Sequence, residues 1–195
     1  MTGIEFLKVD KPTFFKLIQQ QPEQYRFEYV RGRIMQQMAG GTRKHVRIAQ
    51  RFIEIFSARL DRQKWIALPS GLAVDTGQTI RHADVVVEPM SGEPDALATA
   101  TPAILVEVLS KSSEDRDLFL KAAGYLAIPT LQAYIVASQD EPWCFVWIRD
   151  RTGAFPTDGV ELRGEVKTID IPMLTSPIPL AEVYRGLLAA PPKTA

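Results

Sequence analysis

A chain of 195 residues in which 23 Lys and Arg balance 23 Asp and Glu is long enough to bury a core without staples, and its zero net charge excludes a constitutively basic nucleic-acid coat. The single cysteine, Cys144, excludes an internal disulfide and a cysteine-rich zinc site, which favours a reducing compartment. No apolar run approaches the ~20 residues that cross a bilayer, and the opening MTGIEFLKVD has no basic region followed by an apolar stretch, so a cytoplasmic protein without a membrane partner is expected.

In chain order, Asp10 ahead of Lys11-Pro12 and the apolar Phe14, Phe15, Leu17 and Ile18 reads as a capped short helix that ends before Pro22. YRFEYV and RIMQQM, joined at Arg31-Gly32, read as a hairpin with Phe27 and Tyr29 on one face. Thr42, after two glycines, can cap a helix over residues 42–62, in which Val46, Ala49, Phe52, Ile53, Phe56 and Leu60 recur at helical spacing. Between Arg31 and Lys64 basic residues greatly outnumber acidic ones. That excess reads equally as a solvated helix face or a patch that meets phosphate.

Short strands follow at 66–69, 72–75 and 83–88, then the most hydrophobic one at 103–110. Residues 104–109 are apolar on both faces apart from Glu107, as in a central strand covered on both sides. A second helix begins at Ser112 or Ser113 and runs to Leu126. AYIVA and CFVWI are further strands, the first able to lie parallel to 103–110 through the intervening helix. Trp143, Phe145 and Trp147 alternate along the second, which points to core or dimer packing before base stacking. PIPLAEVYRGLL reads as a closing helix. The expected unit is one domain over 1–188, with 189–195 a disordered tail.

Glu107 inside an apolar strand needs a reason, because a buried carboxylate is costly unless it is paired, hydrogen-bonded or bound to a metal. Asp84, at the start of another apolar strand, needs one too. If the two strands are neighbours, both acids come to one end, where their repulsion calls for a shared proton or a cation. Hard oxygen ligands suit Mg²⁺ or Mn²⁺, with the main-chain carbonyl of Val108 and waters completing the shell. Lys121, on the helix after the Glu107 strand, is the candidate amine, with Tyr125 one turn further along the same face. Lys111 in the turn is the second choice. The plainer alternatives are an arginine partner for Glu107, a turn cap for Asp84 and a solvated Lys121.

The ordered set FEYVRGRIMQQM, His45 early in a long helix, HADVVVE, ILVEVLSKSS and RDLFLKAAGY resembles the Uma-two family of the PD-(D/E)XK, restriction-endonuclease-like superfamily, over about residues 5–150. The resemblance implies an α/β restriction-endonuclease-like core: a mixed central β-sheet flanked by helices, with an N-terminal helix and β-hairpin. It implies a Mg²⁺-dependent endonuclease acting on DNA as a homodimer, with Asp84 and Glu107 as metal ligands, Lys121 as a lysine moved from the motif strand onto the helix, and Glu28 as an additional acid. His45, Tyr125 and Lys111 are then expected to face the substrate. The chain departs from the pattern at Ala83, where the superfamily has proline, and at Leu109, where it has lysine. EVLSKSS replaces EVLSPS, and QAYIVASQDE replaces a strand of the form EYWxVDP. The missing motif lysine and zero net charge also leave open a nuclease fold kept as a DNA-binding or regulatory module.

Overall fold

The computed structural model describes residues 8–21, 25–38, 41–109 and 115–187. Helix α1 is Lys11–Ile18, with the Asp10 carboxylate accepting the Thr13 N–H at 2.9 Å and proline in the first turn. Strands β1 (Tyr25–Val30) and β2 (Arg33–Met38) form the expected hairpin. Its turn holds Arg31 at φ 50° and Gly32 at φ 91°, the positive angles that a two-residue hairpin turn requires. Helix α2, Arg43–Arg59, starts where Thr42 Oγ1 accepts the His45 N–H at 3.2 Å. It stops short of residue 62 because Leu60 is extended and Asp61 takes the N–H groups of Gln63, Lys64 and Trp65 into a turn.

Strands β3 (Trp65–Pro69), β4 (Ala73–Asp75), β5 (Thr79–His82), β6 (Val85–Pro89), β7 (Ala98–Thr99) and β8 (Ile104–Leu109) lead to helix α3 (Asp115–Leu126). Then come β9 (Ala133–Ser138), β10 (Trp143–Ile148), β11 (Val160–Arg163), β12 (Thr168–Ile169), β13 (Ile178–Pro179) and a short α4 (Leu180–Val183). The closing helix is shorter than expected, because Ile178-Pro179 pair as a strand with Thr168-Ile169. Strands β5 and β7 were not anticipated. The expected tail, 189–195, and Lys111 lie outside the described residues.

The central sheet is mixed, in the order β11-β10-β9-β8-β6-β3. Strands β8 and β9 are parallel across α3, as expected, and the remaining pairs are antiparallel. One face packs Val85, Val87, Ile104, Val106 and Ile135 against Ile48, Phe52 and Phe56 of α2. The other packs Val86, Leu105, Tyr134 and Val136 against Ala122 and Tyr125 of α3. The aromatic alternation of β10 serves packing: Trp147 is buried and stacks on Tyr134 at 5.5 Å. The hairpin does not extend this sheet. It belongs to a second, five-stranded one, β2-β1-β5-β4-β7, whose apolar face holds Phe14 of α1.

Candidate active site

Strand β8 decides which way its acid points. Alternation sends Ile104, Val106 and Val108 to the α2 side and Leu105 and Glu107 to the α3 side. There the Lys121 ammonium donates to Glu107 Oε1 at 3.2 Å and Oε2 at 3.4 Å, and the Tyr125 hydroxyl reaches Oε1 at 3.5 Å. Lys121 and Tyr125 stand one turn apart on α3, so one helix face delivers both groups. Tyr125 is fully buried, and burial together with Glu107 raises its pKa, so it is a neutral O–H donor. Its geometry is that of a group holding Glu107.

Strands β6 and β8 are neighbours paired at Val85↔Val106, and Asp84 stands one residue before that pair, at the end of β8. Its own N–H donates to Val106 O at 2.9 Å, and its Oδ2 accepts the Val108 N–H at 2.7 Å. The carboxylate thus replaces a strand partner at the point where β6 has not yet begun. Oδ1 faces the other way and meets His45 Nε2, from the first turn of α2, at 3.0 Å. Val108 therefore contributes its amide to Asp84, whatever its carbonyl holds.

The two carboxylates act on each other. Burial first, and then the nearby charges of Asp84 and Glu28, lift the Glu107 carboxyl to about 7, with Lys121 opposing. His45 is raised chiefly by its hydrogen bond to Asp84, and Glu107 adds to the effect, while burial and Arg26 oppose it.

Glu28 joins from the second sheet. It is 1% exposed, and its Oε1 accepts the His82 N–H at 3.3 Å while Oε2 lies 3.9 Å from Arg81 Nη1. Strands β1 and β5 pair only at Tyr29↔Ile80 and Val30↔Thr79. Beyond these pairs the Glu28 side chain takes the amide that a continued ladder would have used. His82, two residues before Asp84, is pushed down to about 4 by burial and then by Arg26, so its ring is neutral. Sequence reasoning gave Arg81 and His82 no clear place here. The available signal was their position directly before Ala83-Asp84.

Among the described residues no group of three or more His, Cys, Asp and Glu side chains converges as a metal cage. What stands there is Glu107 held by Lys121 and, on the neighbouring strand, Asp84 held by His45. In the basic stretch, Lys44, Arg51, Arg59 and Lys64 are paired with Asp140, Glu54, Glu182 and Asp61, whereas Arg43 and Arg47 stand exposed on the first turns of α2.

A mixed sheet sandwiched between α2 and α3 is the core of a restriction-endonuclease-like fold. The chain belongs to the Uma2 (Uma-two) family, described as "Putative restriction endonuclease", whose profile matches residues 12–176. The match runs further toward the C-terminus than the motifs alone reach. Among solved structures the chain is similar to a crystal structure described as "a putative nuclease belonging to DUF820" from Anabaena variabilis. The two are 17% identical, with a TM-score of 0.72 over 90% of this chain and 97% of that one, which shows a shared fold. No curated protein matches the chain. Among the described residues no helix is long and apolar enough to cross a membrane.

Proposed function

We propose that the chain is a divalent-metal-dependent endonuclease that hydrolyses DNA phosphodiester bonds at Asp84 and Glu107. The observation that carries this reading is the Lys121 ammonium, 3.2 Å from Glu107 on the strand next to Asp84. It supplies from the helix the charge that Leu109 cannot supply from the strand. The donor set fits Mg²⁺ or Mn²⁺: two carboxylates and the Val108 carbonyl are hard oxygen ligands. A Glu107 carboxyl lifted to about 7 by burial and a neighbouring acid is one whose ionised form a cation favours.

A divalent cation held there supplies an acidified water and neutralises charge on the attacked phosphate. The remaining work falls to the chain. His45 fixes one oxygen of Asp84 and the Val108 amide fixes the other, so this ligand is oriented before substrate arrives. Tyr125 holds Glu107, and Lys121 stands ready to stabilise the charge that develops on phosphate. Glu28 adds negative potential from behind. The exposed Arg43 and Arg47 meet the DNA backbone near the His45 end of α2. Cutting both strands calls for two such centres, so a homodimer working in the cytoplasm belongs to this reading.

The test is cleavage of supercoiled plasmid by purified protein in Mg²⁺ or Mn²⁺. Asp84→Asn and Glu107→Gln should abolish cleavage, and Lys121→Met should slow it by about 10²–10³-fold. Thermal melting gives a second readout: Mg²⁺ should stabilise the wild type and not Glu107→Gln. Cleavage that survives all three substitutions would refute the assignment. Leu109 at the usual lysine position favours one other reading, a DNA-binding module, and metal-dependent binding without any cleavage would select it.

A further inference from the structure

Where β1 and β5 part, a second feature opens. Beyond Tyr29↔Ile80 the two strands no longer pair, and a cleft of about 300 Å³ lies between α1, the start of β1, the end of β5 and the turn after β3. Tyr25 and Phe27 supply its aromatic surface, and Arg26, Ser70 and His82 supply polar groups. Phe14 lies fully buried beneath them, while Tyr25 is 44% exposed and stands at the rim.

The cleft adjoins the carboxylate centre. The amide of His82 is held by Glu28, and the chain reaches Asp84 two residues later. Arg26 lines the cleft beside Phe27, and the next residue along β1 is Glu28, the acid that holds the His82 amide.

Resting on the nuclease reading above, we infer that this cleft receives a single unstacked nucleobase of the DNA strand that crosses the Asp84–Glu107 centre. The volume suits one planar ring system and is too small for a helix or a folded peptide segment. Aromatic faces accept any base by stacking, and side chains at the polar edge can hydrogen-bond its rim. Arg26 has the reach and the planar fork to hold the phosphate that joins that base to the strand under attack. The result is a register device: anchoring one base sets which neighbouring phosphate lies against the carboxylates.

The experiment needs no cleavage. Binding of a short single-stranded oligonucleotide carrying one 2-aminopurine is followed by its fluorescence in chelator, beside the same strand with an abasic site at that position. The wild type should change the 2-aminopurine emission and bind the abasic strand ~10-fold more weakly, as expected for the loss of one stacked base. Two variants alter the cleft without touching the carboxylate centre, one by filling it and one by removing its rim. A Cβ placed on Gly71, which lines the cleft, meets no atom within 4 Å, so Gly71→Phe fills the space from a position the backbone tolerates. Tyr25→Ala removes the exposed rim. Both should keep the wild-type melting temperature and lose the fluorescence response. Equal affinity for intact and abasic strands, or an undiminished response in both variants, would overturn the cleft while leaving plasmid cleavage intact. Failure to bind the intact strand by a protein that still cleaves plasmid would overturn the cleft alone, whereas absence of both plasmid cleavage and DNA binding in Mg²⁺ would remove the cleft and the nuclease reading together.

Discussion

One face of β8 carries Ile104, Val106 and Val108, which share a wholly apolar core with Ile48, Phe52 and Phe56 of α2. The other face carries Leu105 and Glu107 and meets Lys121 and Tyr125 of α3. Five consecutive residues thus serve two purposes, because alternation gives each face every second side chain. The α2 face gains free energy from burial and fixes the strand in place. The α3 face spends part of that gain on keeping a carboxyl in surroundings that disfavour its charge. A buried carboxyl can stand in a core when the layer behind it is well packed and apolar.

The largest expected effect breaks the supporting face. Phe52 is fully buried against β8, so Phe52→Ala should lower stability by about 4 kcal/mol, read from the urea midpoint. A loss as small as that of an exposed site would mean that α2 does not carry the strand.

The next effect sharpens the contrast through pH. The Glu107 carboxyl titrates at about 7 in the folded chain against 4.5 ordinarily, so between those values the folded state binds more protons than the unfolded one. Stability therefore falls as pH rises through that window, by about 3 kcal/mol in all. His45 is raised by Asp84, so its contribution is complete below its ordinary 6.5 and is lost as pH rises through its higher folded value. Without added metal, the chain should be more stable near about pH 5 than near about pH 8. Glu107→Gln should remove the lower part of that slope and keep the upper part. An unchanged slope in denaturation curves would show that Glu107 is not the group responsible.

How much of this was legible depended on whether a residue's reason was local. Thr42 with the apolar stripe behind it announced α2, and the run from Ile104 to Leu109 announced a strand covered on both sides. Glu107 and Asp84 stood out because nothing near them in sequence explained an acid among valines. Glu28 did not stand out: in YRFEYV it sits at an ordinary alternating position and entered only through a family resemblance. Its burial depends on His82 and Arg81, more than fifty residues away and on a strand, TIRH, whose two basic residues hid it from a pattern search. The His45–Asp84 pair likewise joins elements that only the fold brings together. Local signals gave the elements and the acids, and long-range pairing gave their partners.

A smaller effect inverts the comparison. Replacing Glu107 and Lys121 together by apolar residues makes the α3 face resemble the α2 face. Buried ion pairs are often no better than well-packed hydrophobic groups of similar volume. Glu107→Leu with Lys121→Met should therefore give a protein without cleavage activity that is more stable than wild type by about 2 kcal/mol near about pH 8. A double variant that melts below wild type would make the pair a net stabiliser and not a cost carried for chemistry.

The smallest effect tests whether Tyr125 matters as a ring or as a hydroxyl. The ring packs edge-on against Tyr134 at 5.4 Å, and Tyr134 stacks on Trp147, all of which Tyr125→Phe preserves. What it removes is a single long hydrogen bond to Glu107, 3.5 Å between oxygens, so the loss of stability should stay below about 1 kcal/mol. The acid nevertheless loses a donor that favours its charged form, and Lys121 is left to oppose burial without that help. The pH-dependent fall in stability should then extend to higher pH than in wild type, even though the variant is nearly as stable at about pH 5. A variant whose pH curve overlays that of wild type would reduce Tyr125 to packing and leave Lys121 as the group on α3 that tunes the carboxyl.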